Sequence, residues 1–129
     1  MDMVSKKSVI NLDELGRAGP YSHAVREGNL LFLSGMIGLN NTGKNSFEEE
    51  FRSAMGKILK ILESSGSSTT DIVKMTVYMS DQATFKEMNS LFQEYFKVSP
   101  PARTTIVCGF VVPDALVELD AVAMIPSDE

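Results

Sequence analysis

The stretch that decides the fold class is Leu-Val-Glu-Leu-Asp-Ala-Val-Ala-Met-Ile, residues 116–125. Its side chains alternate in character with the period of two that a β-strand requires. One parity is wholly apolar: Val117, Leu119, Ala121, Ala123 and Ile125. The other mixes two carboxylates with large apolar groups: Leu116, Glu118, Asp120, Val122 and Met124. We therefore predict a strand with one face under helices and the other buried against a second subunit.

Two amphipathic helices are predicted before this strand. The first spans Ser46 to Gly66, where Ser46 and Glu49 fit a capping box and large apolar residues recur at spacings of three and four. The second spans roughly Thr84 to Lys97 and begins after Asp81, which can cap it. Because two helices can cover only one face of a sheet, the mixed face of residues 116–125 needs another partner.

Four further strands are predicted from short β-branched and apolar runs, at residues 22–25, 30–34, 72–79 and 104–112. The first two form a hairpin, followed by a loop from Gly35 to Gly43. The strand at 104–112 is expected to form a second hairpin with residues 116–125 through the turn Pro113-Asp114.

The element order β-β-α-β-α-β-β predicts an α+β fold, with one mixed β-sheet and two α-helices packed on one face. We expect a single domain over residues 1–129, in which residues 1–15 form an N-terminal segment without an assigned element.

Composition excludes several classes of function. With 12 Lys+Arg against 17 Asp+Glu, the net charge of −5 disfavours a surface that binds nucleic acid through phosphates. No apolar run reaches the ~20 residues of a membrane helix, and residues 1–15 resemble neither a secretory signal nor a transit peptide. We therefore expect a cytoplasmic protein, with an organelle still open. One cysteine and one histidine cannot build a thiolate or histidine metal site, and no cofactor is indicated.

The residues that could carry chemistry lie at the expected second hairpin. Pro101-Ala102-Arg103 leads into one strand, and Glu118 lies fifteen residues after Arg103 on the returning strand. Arg103 offers a planar fork for a carboxylate or phosphate, and Glu118 offers a proton acceptor. From the residues alone, two interpretations stay open: a structural cross-strand ion pair, or a pair that binds and transforms a substrate.

Five motifs resemble, in the same order, those of the RidA (YjgF) family of reactive-intermediate imine/enamine deaminases. They are GPYSHA at 19–24, GNLLFLSG at 28–35, DIVKMTVY at 71–78, PAR at 101–103 and LVELDAVA at 116–123. The resemblance implies a RidA (chorismate-mutase-like) fold and a homotrimer with a cleft at each subunit interface. It also implies hydrolysis of 2-imino acids, such as 2-iminopropanoate from 2-aminoacrylate, to 2-keto acids and ammonia. That is the activity of a 2-iminobutanoate/2-iminopropanoate deaminase, a hydrolase that needs neither metal nor cofactor.

The resemblance further implies roles for single residues. Arg103 takes the place of the arginine that binds the substrate carboxylate, and Glu118 that of the glutamate near the attacking water. Four more residues are expected to bind substrate: Tyr21, Ser34, Asn89 and Thr105. Thr105 stands where many members carry a cysteine, so its backbone is the expected contact.

Three residues depart from the family motifs: His23 and Met36 each replace a glutamine, and Gly38 replaces a proline. These departures leave the substrate range open. For His23 we expect a structural hydrogen-bonding role rather than direct catalysis. Two other functions stay open: a translation inhibitor with ribonuclease activity, and a non-enzymatic trimer that binds small molecules or acts like a chaperone.

Overall fold

The computed structural model describes residues 7–39 and 45–127. Within these ranges the chain forms six strands and two α-helices. In chain order they are β1 (Ser8–Ile10), β2 (Ala24–Glu27), β3 (Leu30–Ile37), α1 (Phe47–Ser64), β4 (Ile72–Met79), α2 (Phe85–Tyr95), β5 (Ala102–Val107) and β6 (Val117–Met124). One mixed sheet with two helices confirms the predicted fold class.

The six strands form one sheet in the order β1-β2-β3-β6-β4-β5. All neighbouring pairs are antiparallel except β4 and β5, which run parallel and are joined by the α2 crossover that a parallel pair requires. The chain's last strand, β6, is therefore central, between β3 and β4.

The predicted second hairpin, 104–112 with 116–125, is wrong. β5 ends at Val107 and pairs only with β4, whereas β6 pairs with β3 and β4. The reason lies in burial: the apolar face of β6 is completely covered in the middle of the sheet, whereas the threonine-rich β5 is partly exposed at the edge.

Two other differences concern the N-terminal half of the sheet. Residues 8–10 form a strand, β1, which the sequence interpretation left unassigned. The loop predicted from Gly35 to Gly43 begins later, because β3 continues to Ile37 through a bulge between Leu33 and Met36. Residues 40–43 of that predicted loop, and residues 1–6, lie outside the described part of the chain.

The predicted caps of the helices are confirmed. The Ser46 hydroxyl accepts a hydrogen bond from the backbone N–H of Glu49 (3.1 Å), while the Glu49 carboxylate accepts one from the N–H of Ser46 (2.8 Å). Asp81 accepts from the N–H of Ala83 (2.9 Å) and starts a 3₁₀ turn, Gln82–Thr84, that leads directly into α2. The second helix is thus shorter than the predicted 84–97.

The core lies between the helices and one face of the sheet. Both β6 parities are as predicted: Val117, Leu119, Ala121 and Ala123 are at most 2% exposed, while the other face of the strand is only partly covered. We call the helix-covered side the covered face and the opposite side the open face.

Candidate functional site

The first part of the candidate site lies on the open face, where β3 bulges beside β6. Glu118 is in register with Ile37 of β3 and Tyr78 of β4. The bulge places Ser34 and Gly35 between two regular pairs, and a β-carbon at Gly35 would overlap the Glu118 carboxylate. Position 35 must therefore lack a side chain for Glu118 to lie where it does.

Glu118 lines a pocket of about 430 Å³, which we call the Glu118 pocket. Tyr21 and Ser34 line the same pocket, so three of the expected site residues meet there. The Ser34 hydroxyl donates to the carbonyl of Ser22 (2.6 Å), and the Tyr21 hydroxyl accepts from the N–H of Ala18 (3.2 Å). The first hydrogen bond holds the segment before β2 against the bulge, and the second lies within that segment.

The environment of Glu118 makes its carboxyl group harder to ionise than that of an exposed glutamate. Burial, and then the nearby Asp120 carboxylate, raise the pKa of Glu118 above its ordinary value. Asp120 in turn accepts a hydrogen bond from the Tyr78 hydroxyl (3.0 Å). A carboxylate with a raised pKa, beside a pocket, is suited to accept a proton from water.

The second part of the site surrounds Arg103 in the edge strand β5. The Arg103 guanidinium lies 4.8 Å from the centroid of the Phe92 ring, and its Nη1 is 3.7 Å from Sδ of Met88. Asn89 lines the same pocket of about 600 Å³, here called the Arg103 pocket. Burial lowers the pKa of Arg103.

In the described part of the chain, Arg103 forms no ion pair with a carboxylate, because the ion pairs there involve Arg52. The structural alternative of an Arg103–Glu118 cross-strand pair is therefore wrong. The guanidinium, stacked on an aromatic ring, keeps its fork available for an anion.

The two parts of the site lie on opposite faces of the sheet. Arg103 is in register with Met75, which is fully buried on the covered face, whereas Glu118 is in register with Tyr78 on the open face. β4 also separates their strands. Thr105 is in register with the buried Val77 and lines neither pocket. Within one chain, Arg103 and Glu118 cannot act on the same small molecule.

His23 has the structural role that was expected. It is 2% exposed, its Nδ1 accepts from the N–H of Leu12 (3.0 Å), and its Nε2 lies 2.6 Å from the carbonyl oxygen of Gly16, which can only accept. Both ring nitrogens therefore fasten residues 12–16 to the start of β2.

The sequence does not predict the roles of three residues of this region: Gly35, Arg17 and Lys57. Gly35 begins the predicted loop, but in the structure it lies within β3, where a glycine signals a bulge or a close approach. Arg17 and Lys57 line a further cavity next to the Glu118 pocket. For Lys57 no signal was available, since it looks like an ordinary polar position of α1.

Two kinds of feature are absent from the described residues. Among them, no three His, Cys, Asp or Glu side chains cluster in a way that could hold a metal ion. No helix within residues 7–39 or 45–127 combines the length and apolar character needed to cross a bilayer.

Comparison with known proteins assigns the family. The model of the family described as Endoribonuclease L-PSP matches residues 12–125. The chain belongs to this family. This match confirms the resemblance to the RidA family that the motifs indicated, because the relatives include a protein named Reactive Intermediate Deaminase A.

Relatives of this L-PSP family chain cover most of its length. A RutC family protein of Pyrococcus horikoshii, PH0854, is 38% identical over 109 residues, which are 81% of this chain and 86% of the relative. Reactive Intermediate Deaminase A, chloroplastic, of Arabidopsis thaliana is 35% identical over 123 residues, which are 92% of this chain and 66% of the relative. The crystal structure of the yeast protein YEO7 superimposes with a TM-score of 0.87 at 28% identity, over 94% of this chain and 100% of that one.

Proposed function

We propose that this chain is a hydrolytic deaminase of 2-imino acids that works as a homotrimer, with each active site between two subunits. The separation of Arg103 and Glu118 on opposite faces of one chain carries this proposal. Each face holds half of what the reaction needs, and the open face is the mixed surface expected to bury against another copy. The deaminase name of the Arabidopsis relative supports the reaction class.

Arg103 of one subunit binds the substrate carboxylate in this proposal. A 2-imino acid has a planar carboxylate next to the reacting carbon, which matches the two parallel donors of a guanidinium. Stacking on Phe92 fixes the plane of that guanidinium, and Asn89 beside it supplies a further polar contact. Binding at this end orients C2 of the substrate toward the facing Glu118 pocket of the neighbouring subunit.

Glu118 of the neighbouring subunit activates water. The protonated imine carbon is already electrophilic, so a water oxygen attacks C2 while Glu118 accepts a proton from that water. Glu118 then returns the proton to the nitrogen of the tetrahedral intermediate. The C2–N bond then breaks and releases ammonia, while the ionised Glu118 accepts the proton of the C2 hydroxyl. That proton passes from Glu118 to the ammonia, so the products are a 2-keto acid and ammonium. The expected roles of Tyr21 and Ser34 are to line this pocket around C2.

A subunit-mixing experiment tests both the reaction and the shared site. Ammonia release from freshly generated 2-iminobutanoate is measured for two variants and for their mixture. Arg103→Ala should lower kcat/KM by roughly 30- to 1000-fold through the lost charge-assisted contact. Glu118→Gln should lower kcat by roughly 10²- to 10⁴-fold.

Refolding the two variants together in equal amounts should restore about one quarter of the wild-type activity. Random assembly gives each site a one-in-four chance of an intact Arg103 from one subunit and an intact Glu118 from the next. A mixture of Glu118→Gln with Glu118→Ala is the matched control and should stay inactive. Activity that does not recover in the first mixture would show that one subunit supplies the whole site, and wild-type turnover by either variant would refute its assigned role.

A further inference from the structure

A cavity of about 470 Å³, the Lys57 cavity, adjoins the Glu118 pocket behind the β3 bulge. The two spaces share a wall made of Ala18, Tyr21, Gly35, Ile37 and Val112. The Glu118 carboxylate packs directly against Gly35 in that wall. Because five residues line both spaces, the Lys57 cavity lies next to any group bound in the Glu118 pocket.

The Lys57 cavity is positively charged. Lys57 is half-buried, and its ammonium donates to the carbonyl of Ile37 (2.6 Å). Arg17 lines the cavity as well, and its Nη1 is held by Asn11 Oδ1 (2.8 Å) and by the carbonyl of Tyr21 (3.1 Å). Among the described residues no Asp or Glu lines the cavity, and neither cation forms an ion pair with a carboxylate.

The fold uses only some of the hydrogen-bond donors of the Lys57 ammonium. It carries three donors, of which the Ile37 carbonyl takes one. Burial without a counter-ion lowers the pKa of Lys57, so an anion in the cavity would stabilise its charged form. His23 is also in the wall, where its Nδ1 accepts a hydrogen bond from the N–H of Leu12. The remaining walls include the apolar side chains of Leu15 and Met36.

From this juxtaposition we infer that the Lys57 cavity binds the side-chain carboxylate of a dicarboxylic 2-imino acid. The inference rests on the proposed function, which places the reacting carbon in the Glu118 pocket. The substrate's first carboxylate binds Arg103 of the facing subunit, and C2 lies at Glu118. The methylenes run along Ile37 and Val112, which line both spaces. The second carboxylate then meets Lys57, with Arg17 at the rim.

The test compares two substrates of equal chain length, 2-iminoglutarate and 2-iminopentanoate, generated in place by oxidation of glutamate and norvaline. The quantity measured is the ratio of their kcat/KM values. Lys57→Met removes the charge and keeps the length of the side chain, and it should lower this ratio by about 10- to 100-fold, mainly through KM of the dicarboxylic substrate. Lys57→Arg should restore part of the ratio. Lys60→Met, on the exposed side of the same helix, is the matched control and should leave the ratio unchanged.

Equal losses on both substrates in Lys57→Met would overturn the inference, because Lys57 would then only support the Ile37 carbonyl. If Lys57→Met fails to fold, Arg17→Gln on the exposed rim should lower the same ratio, and an unchanged ratio there would count against the cavity. Calorimetric binding of the products separates this inference from the proposed function. Binding of 2-ketoglutarate that weakens in Lys57→Met, with 2-ketopentanoate unaffected, would support the cavity even in a protein without deaminase activity. Loss of that difference would refute it even in an active enzyme.

Discussion

The two faces of β6 differ in the interactions that determine which residues they carry. On the covered face, Val117, Leu119 and Ala121 are buried by helices of the same chain, so their identity follows from the hydrophobic effect alone. On the open face, Glu118 and Val122 alternate in the same strand and are only partly covered. A surface that combines a carboxylate pocket with large apolar side chains adds little to the stability of the isolated chain. Its residues are therefore determined by binding to a partner and a ligand.

The largest expected effect is a difference in stability between a substitution on the covered face and one on the open face. Leu119→Ala on the covered face should lower the free energy of unfolding by about 2–5 kcal/mol, because it leaves a cavity in a fully buried position. Val122→Lys on the open face should leave the subunit fold in place, because a long charged side chain can reach water in a single subunit. Urea unfolding at several protein concentrations measures the first change.

Sedimentation equilibrium measures the second change. If the open face is the trimer interface, Val122→Lys dissociates the assembly and lowers deaminase activity with it, since each site needs two subunits. A Val122→Lys protein that remains trimeric and active would place the interface elsewhere. A Leu119→Ala protein with unchanged stability would contradict the assignment of the core.

The same contrast explains how far the sequence could predict this molecule. The capping box at Ser46 and Glu49 and the apolar parity of β6 are local patterns with local causes, and both were predicted correctly. The neighbour of β5 was not, because adjacency in sequence favours a hairpin, and only the packing of the whole sheet shows that β4 takes the place between β5 and β6. That error also placed Arg103 beside Glu118, when the fold puts them on opposite faces.

The candidate site shows the same limit at the level of single residues. Motif resemblance pointed to Glu118, Tyr21 and Ser34, which do share one pocket. The same resemblance also implies a site role for Thr105, but Thr105 lines neither the Glu118 pocket nor the Arg103 pocket. The need for glycine at position 35 could not be read from its neighbours, because the clashing atom belongs to a strand more than eighty residues away.

The next largest effect is expected from alanine substitutions at two glycines, Gly35 in β3 and Gly38 just after it. A β-carbon at Gly38 would overlap the Glu50 carbonyl oxygen in α1, which is backbone and cannot move alone. Gly38→Ala should therefore cost about 1–3 kcal/mol of stability. A β-carbon at Gly35 would overlap the end of the Glu118 side chain, which can rotate away.

Gly35→Ala should accordingly keep its stability within about 1 kcal/mol and lose activity by about 10²-fold, since a carboxylate displaced by about 1 Å no longer meets the attacking water. Thermal unfolding and ammonia release, measured on both variants, give the comparison. Two glycine variants that lose stability equally would mean that Glu118 is held as rigidly as the helix backbone.

The smallest effect concerns the charge of the open face, where Asp120 lies two residues from Glu118 on the same side of β6. Burial is the main cause of the raised pKa of Glu118, and the Asp120 carboxylate adds to it. Glu118 must be deprotonated to accept a proton from water, so activity rises as the pH rises through its pKa. Asp120→Asn removes a negative charge near the Glu118 carboxylate, which stabilises the ionised form and lowers the pKa of Glu118. The acid limb of the pH–kcat profile should therefore move to lower pH, while turnover near neutral pH stays within about tenfold of wild type.

Tyr78→Phe is the matched control, because it removes the hydroxyl that donates to Asp120 and keeps the Asp120 charge. It should leave the acid limb closer to its wild-type position than Asp120→Asn does. An acid limb that moves to higher pH in Asp120→Asn would contradict the assignment of Glu118 as the base.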